Sequence, residues 1–208
     1  MEQEYYKNYF NQISKGLTEA SFFHKNKTII DSVFFGEINE ILNDCRKNNN
    51  KIYFFGNGAS SAFANHMALD FSKNGKILSR SLSDSAMLTA LSNDYTYEEA
   101  MIEFLKIEGV AQNDLVITIS SSGNSPNIVN VLKFCKEKNI KSLALSGLKN
   151  DNKSILISDY SIYVPMKTYG MVECIHQIFL HLVLDQLMGI FEWNRDDFQN
   201  MNASKFKL

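Results

Sequence analysis

Cysteine, proline and tryptophan are scarce in this 208-residue chain, which holds three, two and one of them. The cysteines, Cys45, Cys135 and Cys174, are odd in number, widely spaced and form no C-x-x-C pair. That excludes a disulfide framework and a cysteine-based zinc site, and it points to reduced thiols in a cytoplasmic protein. Pro126 and Pro165 both fall at apparent element boundaries, and no Pro/Gly-rich linker, low-complexity tract or internal repeat divides the chain. Charge of one sign is also lacking: the net charge is -2, which argues against nucleic acid and polybasic membrane binding as functions. No apolar run is long enough to cross a bilayer. The opening residues MEQEYYKNYF are acidic and aromatic, without the basic and apolar regions of a secretory signal, and none is expected.

What is present reads as one domain, with N-terminal helices over 1–48, an α/β core over 49–190 and a C-terminal tail over 191–208. Tyr5, Tyr9, Ile13 and Leu17 recur at spacing four, and a second stripe runs through Ile29, Ile30, Val33, Phe34, Ile38, Ile41 and Leu42. Both have helical period and suit packing or oligomerisation. Five short apolar runs follow, at 51–56, 75–82, 114–120, 141–147 and 160–165. Helical patterns separate them at 60–73, 85–92, 97–108 and 125–138, and an apolar helix closes the core over about 170–190. Strands alternating with helices predict a three-layer α/β/α fold around a mainly parallel five-stranded sheet. Such sheets place ligands at the carboxyl ends of their strands.

Two of those ends stand out. The first strand runs into GNGASS (56–61) and the third into SSSGNS (120–125), each followed by a helix. Glycine allows a sharp turn and a close backbone approach. Serine supplies hydroxyl donors, and a helix N-terminus supplies N–H groups and partial positive charge. A phosphate monoester could be held there without Lys or Arg, although the same residues also serve as plain caps and turns. The first loop is not a dinucleotide fingerprint, because Ser61 stands where the third glycine belongs, and neither loop carries the Gly-Lys-Ser/Thr of a P-loop.

The chain has four histidines. His66 and Asp70 are four apart and share a helix face. Glu173, His176 and His181 lie on the last helix. Glu173 and His181 are two turns apart and differ by roughly 80° in azimuth, so both can border one cavity. Carboxylate and imidazole together suit proton transfer next to a carbonyl. Two histidines with two carboxylates also suit Zn²⁺. In its apolar helix, His176 reads mainly as a core residue. His24 has no acid beside it in the sequence and reads as exposed.

With GNGAS, ISSSGNSPN and the His/acid helix between them, the chain resembles sugar isomerase (SIS) domain proteins, and within them the phosphoheptose isomerase family. The resemblance covers most of the chain. It implies an aldose–ketose isomerase acting on a sugar phosphate such as sedoheptulose 7-phosphate, a homotetramer with active sites at subunit contacts, and heptose supply for lipopolysaccharide or capsule. It assigns the acid/base roles to Asp70, His181 and Glu173. With His66 added, the four positions His66, Asp70, Glu173 and His181 become a Zn²⁺ set. Asn57, Gly58, Ser60, Ser120, Ser121, Ser122 and Ser125 go to the phosphate, and Asn93 and Asp94 to the sugar hydroxyls. Asp94 reads equally well as a cap for the segment after it. Asp70 and Glu173 depart from the family's Glu and Gln, which leaves open which of them shuttles the proton. The departures also keep a different sugar phosphate in play. Two further roles known among relatives are binding the replication initiator and sensing a sugar phosphate; the retained His/acid set argues against the first, and the lack of a DNA-binding segment against the second.

Overall fold

The computed structural model describes residues 2–194, so the far end of the expected tail, 195–208, lies outside the described residues. The elements in chain order are α1 (Glu2–Thr18), β1 (Ser21–His24), β2 (Lys27–Ile29), α2 (Asp31–Asn48), β3 (Ile52–Gly56), α3 (Ala59–Lys73), β4 (Ser79–Ser81) and α4 (Ser85–Asp94). There follow α5 (Ala100–Ile107), β5 (Leu115–Ser120), α6 (Pro126–Lys138), β6 (Lys141–Gly147), α7 (Lys153–Ile157), β7 (Tyr160–Val164), α8 (Tyr169–Met188) and a 3₁₀ turn (Glu192–Asn194).

One sheet of seven strands orders them β2-β1-β7-β6-β5-β3-β4. The five expected strands form its parallel part, from β4 to β7. The inner strands β3, β5, β6 and β7 are buried along nearly all their length because both faces are covered. On one face Phe34, Leu42, Met67, Phe71, Phe179 and Leu184 pack from α2, α3 and α8. On the other, Met101, Phe104, Leu105, Ile128, Val131 and Leu132 pack from α5 and α6.

The two strands beyond the expected five form a hairpin. β1 pairs antiparallel with β2 and with β7. The segment 21–29 had been read partly as the start of a helix. Lys25 and Asn26 instead adopt φ of 48° and 62°, the left-handed pair that a tight two-residue hairpin turn requires. The hairpin also corrects the reading of His24. Its ring stacks on Tyr160 at 4.4 Å, and Nδ1 lies 3.1 Å from Glu37 Oε2, so it is half-buried against α2 rather than exposed. The 75–82 strand shrinks to Ser79–Ser81.

The strand order places the site. From β3 the chain moves outward to β4, then returns across β3 to form β5. β3 and β5 are therefore neighbours whose following helices go to opposite faces, and a crevice opens between their carboxyl ends. Gly56 pairs in register with Ile119, one residue before the serine run.

Candidate active site

Because β3 and β5 are adjacent, the two Gly/Ser loops meet. Asn57, Ser60, Ser120, Ser121, Ser122 and Ser125 line one small cleft of about 90 Å³, together with Ile119, Tyr169 and Glu173. No side chain caps α3 or α6, the helices that start here, whereas Asp84, Asn152 and Thr168 cap α4, α7 and α8. Gly58 at the head of α3 has φ 57° and nothing near its missing Cβ. Ser120 Oγ and Ser125 Oγ are 3.4 Å apart. Ser121 Oγ is buried without a protein partner among the described residues, so its hydroxyl is left free to bond into the cleft.

The loops are tied to each other. Asn57 Nδ2 donates to Asn127 Oδ1 (3.0 Å), and Asn127 Nδ2 donates back to Asn57 Oδ1 (2.8 Å). Tyr97 Oη also donates to Asn57 Oδ1 (2.8 Å). Asn127 and Tyr97 were not singled out in the sequence. The SPN that starts α6 does contain Asn127, but its reach across 70 residues becomes visible only once β3 and β5 are neighbours.

Asn93 and Asp94 do not line this cleft. They sit exposed at the end of α4, where Asn93 Nδ2 donates to Asp94 Oδ1 (3.2 Å). The capping role weighed for Asp94 falls to Thr96, whose Oγ1 accepts from the Glu99 N–H (3.2 Å).

The His/acid cluster forms from two helices of the same layer, α3 and α8. His66, Asp70 and His181 each offer a ligand atom, and these atoms lie within 4.8 Å of one another. His66 Nε2 is 3.2 Å from Asp70 Oδ2, and the two imidazole rings are 5.5 Å apart. Glu173, expected as a fourth member, stands outside this group and at the serine cleft instead. Eight residues of helix put it about 12 Å from His181 along the axis. Along α8, therefore, the serine cleft lies by the first turns, at Glu173, and the acid with two imidazoles about two turns further on. Cys45 and Cys135 take no part, since burial pushes their thiols up to about 11 and about 12.

His176 fixes α8 against the sheet. It is fully buried, and its Nε2 lies 3.1 Å from the Ser146 carbonyl at the end of β6. The next residue, Gly147, donates its N–H to the Ser121 carbonyl (3.0 Å). Burial holds the His176 ring down at about 4, partly opposed by the Ser146 hydrogen bond. The folded protein thus keeps this ring neutral while the unfolded chain protonates it near the ordinary 6.5. Stability from this group is full above about pH 6.5 and is lost as pH falls toward 4, about 3 kcal/mol in all. Urea titrations at pH 7, 5.5 and 4 should show that loss, and His176→Leu should flatten it.

Comparison with known proteins identifies the family. The SIS domain family model matches residues 23–147, more than half of the chain. The phosphoheptose isomerase of Aneurinibacillus thermoaerophilus is 36% identical over 143 residues, which are 66% of this chain and 71% of that protein. Phosphoheptose isomerase 2 of Campylobacter jejuni is 37% identical over 143 residues, 66% of this chain and 70% of that protein. The structure of a phosphoheptose isomerase from Neisseria gonorrhoeae superposes with a TM-score of 0.76 at 26% identity, covering 91% of this chain and 100% of that one. Two loops joined at a switch point, an acid–imidazole cluster between α3 and α8, and relatives of this kind lead to one conclusion: the chain belongs to the SIS-domain phosphoheptose isomerase family and is a phosphosugar isomerase.

Proposed function

We infer that the substrate is sedoheptulose 7-phosphate, interconverted with a glycero-manno-heptose 7-phosphate through an enediol. The observation that carries this reading is the linear site along α8, with the serine cleft at Glu173 and the acid–imidazole group two turns on. A seven-carbon chain with a terminal phosphate can span it, placing the reacting carbons C1 and C2 far from the phosphate. The relatives named above are called phosphoheptose isomerases, which supports a seven-carbon sugar phosphate as substrate.

Ser120, Ser121, Ser122 and Ser125, with Asn57, Gly58 and Ser60, receive the phosphate. Glu173 is an acceptor beside a dianion, so it serves sugar hydroxyls rather than phosphate oxygens; Asn93 and Asp94 approach the hydroxyls only if substrate draws them in. Asp70 removes a proton from C1 of the ketose, the C2 oxygen gains a proton, and an enediol forms. The proton then returns from Asp70 to C2 while the C1 hydroxyl gives up its own, leaving the aldehyde. His181 handles the oxygen protons. The net change moves one hydrogen from C1 to C2 and one from the first oxygen to the second.

The donor set of His66, Asp70 and His181 fits Zn²⁺, since two imidazoles and one carboxylate within 4.8 Å of one another match the three-ligand sets of catalytic zinc sites. When bound, such an ion would polarise the substrate carbonyl. We assign the working form to a cytoplasmic homotetramer with shared sites, supported by the exposed aromatic face of Tyr5, Tyr6 and Phe10 on α1 and by free thiols. Its product suits heptose supply for lipopolysaccharide or capsule.

Turnover of sedoheptulose 7-phosphate, beside a panel of other ketose phosphates, tests the reading; preference for a shorter ketose would overturn the substrate. Chelator should lower turnover and added Zn²⁺ restore it; unchanged turnover in metal-free protein would remove the zinc alone. Ser122→Ala should raise KM about tenfold or more with kcat little changed, because a hydrogen bond to a charged group is lost. An unchanged KM would refute the phosphate assignment.

A further inference from the structure

We propose that Tyr97 is a positioning residue for the phosphate cleft: with Asn127, its hydroxyl holds the Asn57 amide turned so that an N–H, and not the carbonyl, faces the bound anion. This deepens the reading above and rests on its phosphate cleft. Asn57 and Asn127 exchange two hydrogen bonds, Nδ2 to Oδ1 in each direction, at 3.0 and 2.8 Å. Such a pair does not fix its own polarity. If both amides turned over, each oxygen would take the place of a nitrogen and both bonds would form again. A third group breaks the tie. The backbone N–H of Ile128, in the first turn of α6 where intrahelical acceptors are lacking, donates to Asn127 Oδ1 (3.0 Å). A backbone N–H cannot accept, so that oxygen must stay where it is, and Asn127 Nδ2 faces Asn57 Oδ1. Tyr97 Oη lies 2.8 Å from the same oxygen. A hydroxyl can donate or accept, and here only donation is left to it.

Both acceptor positions of Asn57 Oδ1 are therefore filled, by Asn127 and Tyr97. Asn57 Nδ2 spends one hydrogen on Asn127 and keeps a second. Asn57 lines the cleft together with the serines of both loops. An amide hydrogen there adds a donor for an anion, whereas a carbonyl oxygen would set acceptor against acceptor. The turn that carries Tyr97 is itself anchored. Thr96 Oγ1 accepts from the Glu99 N–H (3.2 Å), and Asn130 Nδ2, one turn beyond Asn127 on α6, donates to Glu99 Oε1 (2.9 Å). The segment between α4 and α5 is thus tied to the helix that starts at the serine loop, and this brings the Tyr97 hydroxyl to a residue 40 positions back in the chain. Tyr97 is exposed and is not among the residues that line the cleft. It acts on the anion through Asn57.

The test is a double-mutant cycle of Tyr97→Phe and Asn57→Ala in the full-length protein. It is read twice, by KM and kcat on sedoheptulose 7-phosphate and by the Kd of inorganic phosphate from calorimetry. Tyr97→Phe removes one oxygen at an exposed position and keeps the ring, so the fold should be undisturbed. It should raise both KM and the phosphate Kd about three- to tenfold, the size of one hydrogen bond, with kcat within about twofold. Asn57→Ala should raise both about tenfold or more. Adding Tyr97→Phe to it should change nothing further, because the group through which Tyr97 acts has gone. Unchanged KM and Kd in Tyr97→Phe, or a further rise of the same size in the double variant, would overturn the proposal: the hydroxyl would then be idle or would touch the substrate itself. Phosphate binding that shows the coupling, without turnover of any ketose phosphate, would overturn the isomerase substrate and leave Tyr97 its role. Turnover without coupling would do the reverse, and neither binding nor turnover would overturn both.

Discussion

His181→Ala should lower kcat on sedoheptulose 7-phosphate by about 10³-fold, within the 10² to 10⁴ that a positioned acid–base group supplies. The folded structure should survive, because His181 borders a cavity and its hydrogen bond is to the neighbouring turn of the same helix, at Gln177. Circular dichroism and melting temperature provide that control. Asp70→Asn should have a comparable effect. The amide keeps the shape and the neighbours of Asp70, His66 at 3.2 Å and Asn74 at 3.5 Å, but it cannot take the C1 proton. Glu173→Gln separates the two carboxylates. If Glu173 holds hydroxyls, the change should fall mainly on KM; a loss of kcat as large as that of Asp70→Asn would make Glu173 the shuttle.

Gly56→Ala should be the most damaging change of a residue that performs no chemistry. An added Cβ would lie 2.5 Å from the backbone carbonyl carbon and oxygen of Ser60 and 2.8 Å from its Cβ. These belong to the first turn of α3 and have no flexible tip to swing aside. Overpacking of this kind costs about 3 kcal/mol. For a chain of this size that is a fall of about 6–12 °C in melting temperature. Relief by displacement of α3 would pull Ser60 out of the cleft, so KM should rise together with the loss of stability. Gly36→Ala is the matched control. Nothing lies within 4 Å of its Cβ position in α2, and the change should stabilise by about 0.5–1 kcal/mol. A neutral Gly56→Ala would mean the loop between β3 and α3 is not held as tightly as these distances require.

The parallel core was legible because alternation of apolar runs with helical stripes is a local signal. Residues 59–73, 126–138 and 169–188 fall within a residue or two of the expected helices. The β1–β2 hairpin was not legible in the same way. Phe22 and Phe23 are compatible with a helix–strand boundary, and their pairing with Ile162 and Ser161 of β7 links positions far apart in the chain. The Lys-Asn turn between them was the available cue. His24 was misread for the same reason, since its acid, Glu37, is thirteen positions away and is brought near only when the hairpin folds onto α2.

At the site, residue types carried the information and partners did not. Serine and glycine at two strand ends marked the loops that matter, and their residues do line one cleft. Glu173 was placed correctly on α8, but spacing along the helix could not show that it faces the serine cleft and stands outside the His66, Asp70 and His181 group. Asn127, Tyr97 and Gln177 are ordinary polar residues in sequence. Their importance lies in contacts with Asn57 and His181, which no spacing rule displays.

The strands at the two rims of the sheet, β2 and β4, are each three residues long, and each carries an exposed cation, Lys27 and Arg80. Short, charged margins are poor templates for a foreign strand, and they guard against runaway fibril growth. Any association between copies of this chain is thereby directed away from the rims of the sheet and toward the helices that cover its faces.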